Sequence, residues 1–239
     1  MSDVPRLDDS EYVAAEYADD AGLAGRVALW RARTGPQPQD VALQRIRDLA
    51  PTTVLEVGCG QGAFAQALVD AGSDVTATDR SARMVALTAA RGVRAEQADV
   101  QHLPYDDGAF DLVVANYMLY HVSDLGRALT EIVRVLRPGG ALVAVTNSRR
   151  KLREMWDLVG LERDGDAEEG FNTENGTELL VPYFETVERV DVDERFRVTE
   201  AAIRSYIRCT RFAALAEHVP HLPDGLIVTA AGSVFLATT

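Results

Sequence analysis

The sequence predicts a Rossmann-like α/β fold: a doubly wound sheet of about seven strands, mostly parallel, with an antiparallel last strand. Short apolar strand patterns alternate with helical patterns from residue 54 to residue 146. This alternation is typical of parallel strands joined by right-handed helical crossovers. Two further strand patterns, at 187–198 and 233–238, flank a helical stretch. They indicate an added antiparallel edge.

Each element has its own local signal. Apolar runs bounded by polar residues or glycine predict strands at 54–57, 74–78, 93–98, 110–115 and 141–146. Apolar residues at helical spacing predict helices at 41–49, 63–71, 81–91, 124–136, 149–160 and 200–209. Ser81 is a typical N-cap residue, and Gly92 follows the end of the same helix. Residues 177–182 are apolar and fit either a helix or a strand.

The chain divides into an N-terminal segment, 1–38, and one large domain, 39–239. In the first segment Tyr12, Tyr17 and Trp30 recur with other apolar residues at helical spacing. Prolines close to its end terminate the pattern, so we expect a helical lid. Within the domain, residues from about 149 to 221 form an insertion that we expect to shape a substrate pocket.

Charge and composition limit the partners that this chain can have. Lys plus Arg number 24 and Asp plus Glu number 37, so the formal net charge is −13 at pH 7. Nucleic-acid phosphates and anionic lipids would repel such a chain, so neither is an expected partner. There is no long apolar run and no secretory signal pattern, and the chain has only two cysteines. A cytoplasmic monomer or homodimer is therefore expected.

Three glycines, Gly58, Gly60 and Gly62, follow the first strand of the alternating region and open its first helix. In an open α/β sheet this turn lies at the carboxyl ends of the strands, where ligands bind. Glycine lets the backbone approach a ligand closely, and the helix N-terminus offers free amide hydrogens. Together with Ala63, the first two glycines also fit a dinucleotide-binding pattern. A nicotinamide-dependent oxidoreductase is therefore one alternative.

Two acidic residues follow at the next two strand ends. Asp79 ends the second strand, where a carboxylate can accept both hydroxyls of a ribose. Asp99 ends the third strand and can accept a hydrogen bond from an adenine amino group. Glycines and acids in this order predict a site for an adenosyl ligand. Glu56, which precedes the glycines, argues against a nicotinamide cofactor.

These motifs resemble those of the class I S-adenosylmethionine-dependent methyltransferases, especially the small-molecule branch similar to the ubiquinone/menaquinone C-methyltransferases. The resemblance covers about residues 50–147 and depends on the order and spacing of the motifs. The matching motifs are 56–62, 78–84, 98–105, 110–116 and 136–140. The last of these, Arg-Pro-Gly-Gly after Leu136, is a structural turn into the fifth strand in that family.

The resemblance implies S-adenosylmethionine as cofactor, S-adenosylhomocysteine as product, and a role for each matching residue. The methionine part would lie against Glu56, the glycine loop and Asn116, the ribose would bind Asp79, and the adenine would be held by residues 99–100. The implied cofactor-binding set is Glu56, Gly58, Cys59, Gly60, Gly62, Asp79, Arg80, Met84, Asp99, Val100 and Asn116.

The segment after the fourth strand should face the transferred methyl group. His121 is the candidate general base, since a neutral imidazole can accept a proton from a hydroxyl or an acidic carbon. Alternatively, it caps the following helix or packs under the cofactor. Tyr117, Tyr120 and, from the N-terminal segment, Tyr17 are candidate substrate-pocket residues, although core packing explains them equally well.

Metal binding is not expected. His218 and His221 lie close together, but no cysteine or acid cluster accompanies them. Cys59 is expected to serve as a small residue of the glycine loop rather than as a nucleophile, because no partner base accompanies it.

The sequence therefore favours an S-adenosylmethionine-dependent methyltransferase that acts on a small molecule at N, O or C by in-line displacement. A peptide or protein acceptor, for example an amino terminus, is the alternative within the enzyme class. A protein that holds the cofactor without turnover is the alternative outside it.

Overall fold

The computed structural model describes residues 29–161 and 170–239. Its strands are β1 (Thr53–Val57), β2 (Asp74–Asp79), β3 (Arg94–Gln97), β4 (Phe110–Asn116), β5 (Leu136–Asn147), β6 (Thr186–Val198) and β7 (Leu226–Thr238). They form one sheet in the order β3-β2-β1-β4-β5-β7-β6. Pairing is parallel from β3 to β5, whereas β7 is antiparallel to both β5 and β6. The predicted fold class is confirmed.

The described helices are α1 (Pro38–Leu49), α2 (Ala63–Asp70), α3 (Ala82–Ala89), α4 (Leu125–Val135), α5 (Arg153–Leu158), α6 (Gly176–Leu180) and α7 (Glu200–Arg208). Ser81 caps α3 as predicted, because its side chain accepts a hydrogen bond from the backbone N of Met84. The ambiguous stretch 177–182 lies largely in α6. The helix predicted at 149–160 is shorter than expected and occupies only α5.

Two strands are longer than the sequence indicated. β5 begins at Leu136, because the Arg-Pro-Gly-Gly stretch already pairs with β4 across a register shift. β7 begins at Leu226 rather than at 233, because its small residues pair along the whole of β6. Cross-strand pairing thus overrides weak local strand propensity in both places. Asp99 lies beyond the end of β3, in a turn that forms an isolated bridge with His102.

Apolar side chains cover both faces of the central strands. On one face Leu55 and Val113 pack in a cluster with Leu129 of α4. On the other face Val54 packs in a cluster with Ile46 of α1. Burial on both faces fixes the register of the central strands, since a shift would move every side chain to the other face. Their carboxyl ends therefore meet at one edge of the sheet.

The strand order reverses between β1 and β4. The chain runs outward from β1 through β2 to β3, and then returns to the other side of β1 with β4. The crossovers leave the central strands in opposite directions at this point, so a crevice opens above the carboxyl ends of β1 and β4. Ligands of open α/β sheets bind at such switch points.

The outer half of β6 and β7 extends past the rest of the sheet. Residues 193–198 pair with 226–231, and within the described residues no third strand flanks them. This two-stranded ribbon has its own apolar cluster, in which Phe196 and Val228 pack with Trp156 of α5 and Ile203 of α7. An isolated hairpin is only marginally stable, so the cluster stabilises the ribbon.

The stretch before α1 is attached to β6. Glu194 accepts hydrogen bonds from Arg33 Nε at 2.8 Å, Thr34 N at 2.9 Å and Gly35 N at 3.0 Å. Both charged side chains of this ion pair are largely buried. Most of the predicted lid, including Tyr12 and Tyr17, lies outside the described residues, so the lid and the domain boundary at 38 stay predictions. Within the described ranges, no helix is long and apolar enough to cross a membrane.

Glu194→Gln should lower the free energy of unfolding by about 1–3 kcal/mol at pH 7, because Arg33 and two backbone amides lose their charged acceptor. Burial raises the pKa of Glu194, but hydrogen bonds from Arg33, Thr34 and Gly35 outweigh it and lower the pKa from 4.5 to about 2. The stabilisation is therefore present above pH 4.5 and is lost as the pH falls through about 2. Urea unfolding of the wild type and the variant at pH 7 and at about pH 2 measures the difference in stability. Glu188→Gln, an exposed site on the same strand, is the control, and an equal loss in both variants would contradict the prediction.

Candidate active site

A cavity of about 630 Å³ lies at the carboxyl ends of β1, β2 and β4. Its volume falls within the range of small-molecule and cofactor sites. Most of the predicted site residues line it: Glu56, Gly58, Cys59, Gly60, Asp79, Arg80, Met84, Asp99, Val100, Asn116, Tyr117, Tyr120 and His121. Gly62 does not, and Tyr17 lies outside the described residues. The structure thus brings the residues of the separate motifs together around one space.

The glycines of the loop after β1 have two different functions. Gly58 has a φ of +69°, and a Cβ there would lie 2.7 Å from Cβ of Met118 in the loop after β4. Gly62 has a φ of +75°, and a Cβ there would lie 2.6 Å from Thr88 Oγ1 of α3. Gly62 therefore lets the loop pack against α3, which explains why it does not reach the cavity wall.

Asp79 is fixed by the backbone around it. Its Oδ2 accepts from Gly60 N at 3.0 Å and its Oδ1 from Ser81 N at 2.8 Å. Each carboxylate oxygen can accept a further hydrogen bond, and Asp79 lines the cavity. The carboxylate is thus already oriented to accept a pair of hydroxyl groups.

Asp99 is oriented by Gln101, a residue that the sequence did not single out. Gln101 donates to Asp99 Oδ1 through its backbone N at 2.9 Å and through its side-chain Nε2 at 3.1 Å. Its Oε1 accepts from Asp124 N at 3.0 Å, at the start of α4. Arg80 Nε lies 3.8 Å from Asp99 Oδ2. Gln101 lines the same cavity, but no sequence pattern marked it because its role depends on the fold of the turn.

Two buried oxygens in the cavity wall have no hydrogen-bond partner among the described residues: Glu56 Oε2 and Asn116 Oδ1. Glu56 is only 1% exposed. Burial, and secondarily the negative charge of Asp79, raises the pKa of Glu56 from 4.5 to about 8. A buried acceptor without a donor costs about 1–3 kcal/mol. The wall therefore fits a ligand that brings hydrogen-bond donors or positive charge to these two atoms.

Cys59 is a structural residue of the loop. Its Sγ lies 3.4 Å from Thr88 Oγ1, and the side chain is buried. Burial raises the pKa of the Cys59 thiol to about 12, so a thiolate does not form near neutral pH. This agrees with the expectation that Cys59 is not a nucleophile.

The segment after β4 presents its aromatic residues to the cavity. Tyr117 has a φ of +56° and its backbone N donates to Val145 O at 2.9 Å. Burial raises the pKa of its hydroxyl. Tyr120 and His121 lie in the short 3-10 helix Leu119–His121, with ring centroids 4.4 Å apart.

His121 does not cap the following helix. The N-cap of α4 is Asp124, whose side chain accepts from Arg127 N at 2.9 Å. Of the roles weighed for His121, the general base and packing under the cofactor therefore remain. Both agree with its position in the cavity wall.

The wall also contains residues of α1 that the sequence gave no reason to choose: Gln39, Asp40 and Leu43. They reach the cavity because α1 packs across β5 and β7 near the strand ends. No described residue of the predicted insertion lines this cavity, although Gly170 lies close to the backbone of Tyr120. Among the residues that the model describes, no His, Cys, Asp and Glu cluster could hold a metal ion.

Comparison with known proteins agrees with a ligand site at this edge of the sheet. Residues 55–144 match a family model described as a methyltransferase domain. The match covers 90 of the 239 residues, and this part of the chain is similar to a methyltransferase domain. S-adenosylmethionine is the cofactor that the domain implies, and the fit of its donors to Glu56 and Asn116 agrees with this.

Two curated relatives are O-methyltransferases by name. The malonyl-(acyl-carrier protein) O-methyltransferase of Pseudescherichia vulneris is 38% identical over 130 residues, which cover 52% of this chain and 51% of the relative. The ubiquinone biosynthesis O-methyltransferase of Xanthomonas oryzae pv. oryzae is 32% identical over 157 residues, which cover 59% of this chain and 64% of the relative. The chain thus spans about half to two thirds of the length of these relatives.

A solved structure shares the fold of the described residues. The (4+2)-cyclase SpnF matches with a TM-score of 0.59 and 22% identity, covering 100% of this chain and 99% of that protein. At this identity the likeness concerns the fold alone. It concerns the described residues on both sides of the stretch 55–144 as well as that stretch itself.

Glu56→Gln should make the ligand-free protein less sensitive to alkaline pH. A folded-state pKa of about 8, against 4.5 in the unfolded chain, gives stability that is complete below pH 4.5 and is lost as the pH rises to about 8. The difference in free energy of unfolding between the variant and the wild type should shift by about 2–4 kcal/mol in favour of the variant between pH 5 and pH 8.5. Chemical unfolding at both pH values tests this. Glu178→Gln, an exposed site on α6, is the control, and parallel pH curves for wild type and Glu56→Gln would contradict the prediction.

Proposed function

We propose that this protein transfers the methyl group of S-adenosylmethionine to an oxygen nucleophile on a small-molecule acceptor. The observation that carries the proposal is the pair of buried oxygens of Glu56 and Asn116 in the cavity wall, which have no hydrogen-bond partner in the described part of the chain. A fixed carboxylate, Asp79, lies in the same wall. An amino acid joined to a ribose is the kind of ligand that satisfies all three.

The cofactor would be held in three parts. Glu56 and Asn116 would accept hydrogen bonds from the methionine part, and Asp79 from the ribose hydroxyls. Asp99, oriented by Gln101, would accept from the adenine amino group. Among the other cavity residues, Met84 and Val100 are buried apolar residues, suited to contact the adenine ring, and Arg80 borders the adenosine.

The chemistry asks the protein mainly for alignment and for exclusion of water. When bound, the cofactor supplies a methyl group on a positively charged sulfur atom, already activated for transfer. The cavity walls would align the acceptor oxygen with the methyl–sulfur bond, and good alignment contributes several kcal/mol to catalysis. His121 would accept the proton that the acceptor hydroxyl loses, since an oxygen nucleophile needs a base. Tyr117 and Tyr120 would line the acceptor side.

The choice of acceptor is supported by charge and by the names of the relatives. Both named relatives act on oxygen, and the net charge of −13 disfavours polyanionic acceptors such as nucleic acid. One relative acts on a group carried by a protein, so a carrier-bound acceptor is a further alternative to a small molecule. The monomeric or homodimeric state and the cytoplasmic location expected from the sequence belong to the same proposal.

Two alternatives have to be distinguished by turnover. A peptide or protein acceptor is one, and a protein that holds the cofactor without methyl transfer is the other. The same fold serves a different reaction in the cyclase, so the fold alone does not decide between these alternatives.

The deciding experiment is transfer of labelled methyl from S-adenosylmethionine into a size-fractionated extract of the source organism. Label in the small-metabolite fraction supports the proposal and isolates the acceptor. Label only in macromolecules supports a peptide, protein or carrier-bound acceptor. Cofactor binding by calorimetry without label in any fraction would reject methyl transfer for these acceptors.

Asp79→Ala should weaken the binding of S-adenosylhomocysteine by about 2 kcal/mol, roughly thirtyfold, because two hydroxyl groups lose a charged acceptor. Isothermal calorimetry measures the change, and circular dichroism checks the fold. Asp74→Ala is the matched control, because Asp74 is an exposed carboxylate at the other end of β2. Equal affinity in the two variants would remove the ribose role from Asp79.

His121→Ala should lower the turnover number at saturating acceptor by about 100-fold or more, while the affinity for S-adenosylhomocysteine stays unchanged, because only the proton acceptor is lost. His221→Ala is the control, since its ring is exposed and contacts Glu200 rather than the cavity. Unaltered turnover in His121→Ala would assign His121 a packing role instead.

A further inference from the structure

Lys151, the only lysine of the chain, lies between two aromatic rings beside the cavity. Its Nζ donates a hydrogen bond to Asn147 Oδ1 at 2.8 Å. The same atom lies 4.9 Å from the ring centroid of Trp30 and 5.9 Å from that of Tyr117. An ammonium within about 6 Å of a ring centroid is attracted by the ring face. The Lys151 ammonium therefore lies within cation–π distance of both rings, and Lys151, Trp30 and Tyr117 together are called the stack.

One of these rings belongs to the cavity wall. Tyr117 lines the cavity and begins the loop after β4. Its φ of +56° is unusual for a bulky aromatic residue, and such a conformation persists only where its surroundings hold it. The backbone is held by the hydrogen bond to Val145 O, and Lys151 contacts the ring. Lys151 is therefore placed where it can hold the orientation of the Tyr117 ring.

The other ring belongs to a different apolar cluster. Trp30 packs against Phe196 and Tyr206, with ring centroids 5.9 Å and 6.1 Å apart. These residues belong to the cluster that supports the ribbon of β6 and β7, and no described member of that cluster lines the cavity. Lys151 thus connects the ribbon cluster to the cavity wall.

We propose that Lys151 is a positioning residue for methyl transfer: its ammonium, held between Trp30 and Tyr117, sets the orientation of the Tyr117 ring on the acceptor side of the cavity. The proposal rests on the proposed function for the meaning of the acceptor side. Through Trp30, the ribbon cluster would then also affect the acceptor side, although no described member of that cluster lines the cavity. Direct contact of Lys151 with the acceptor is not required.

A spectroscopic experiment tests the stack without any acceptor. Because the chain has a single lysine, protein labelled with ¹³Cε-lysine gives one lysine ε-CH₂ signal. We expect this signal upfield of a solvent-exposed lysine, through the ring currents of both aromatic residues. Trp30→Leu and Tyr117→Leu should each reduce the shift, and S-adenosylhomocysteine should change it in the wild type. A signal at the position of an exposed lysine, in folded protein, would overturn the proposal.

A kinetic experiment tests the positioning role. Lys151→Met should lower labelled methyl transfer at limiting acceptor by about fivefold, with S-adenosylhomocysteine affinity changed less than about twofold. Lys151→Arg, which keeps a cation and a donor for Asn147, should restore more than about half of the rate. Arg211→Met is the matched control, because Arg211 lies over the ring of Phe212 at 5.0 Å, outside the cavity wall.

The outcomes separate this proposal from the proposed function. Unchanged transfer by Lys151→Met, in a wild type that turns over, overturns the positioning role alone. A rate loss that Lys151→Arg does not restore also overturns it. If the wild type binds S-adenosylhomocysteine but transfers no methyl group, the proposed function fails, and the NMR signal then decides whether the stack responds to the cavity. If Lys151→Met does not fold, Lys151→Arg and the NMR signal decide.

Discussion

The loop after β1 and the loop after β4 approach each other so closely that a single methyl group would separate them. Gly58 and Met118 meet at this point, where a Cβ on the glycine would lie 2.7 Å from Met118. The contact exists because β1 and β4 are adjacent and parallel, with both chains turning away at the same edge. Both residues line the cavity, at the point where the glycine loop meets the segment that carries Tyr117 and His121.

The second constraint is electrostatic. Glu56 is buried and lies close enough to Asp79 to be affected by its negative charge. Both effects raise the pKa of Glu56, so ionisation of Glu56 is unfavourable in the ligand-free site. Asp79 itself is stabilised by two backbone amides, whereas Glu56 Oε2 has no donor among the described residues. Ionisation of Glu56 and binding of a ligand that carries positive charge therefore favour each other. The site is arranged for a cationic ligand before that ligand arrives.

The sequence predicted the parts of the site that depend on local rules. Gly58 follows a strand, and Asp79 and Asp99 were expected at strand ends, so the sequence placed all three at the carboxyl edge of the parallel sheet. Gln101 and the α1 residues could not be placed, because their positions come from turn geometry and helix packing that no periodicity encodes. Gly62 matches the motif but packs against Thr88 of α3 instead of lining the cavity, because motif spacing does not reveal which way the backbone faces.

The ends of the last two strands show a similar limit. Strand β7 was underestimated because its small residues have little intrinsic strand propensity, and only their pairing with β6 makes them regular. The insertion was expected to shape the pocket, but none of its described residues lines the cavity, although Lys151 lies beside it. Long-range pairing and side-chain direction decided both points, and a single sequence carries little information on either.

The central strands and the ribbon formed by the outer halves of β6 and β7 are under different structural constraints. The central strands cannot change register without destroying the glycine loop, so variation there is confined. The ribbon has its own cluster around Phe196 and Trp156, and its length does not enter the register of β1 and β4. Descendants of this chain could therefore lengthen, shorten or replace the ribbon while inheriting the cofactor site intact. The length of the ribbon can therefore vary without a change of register in the central strands, whereas the contacts of Glu194 and Phe196 limit which of its residues can change.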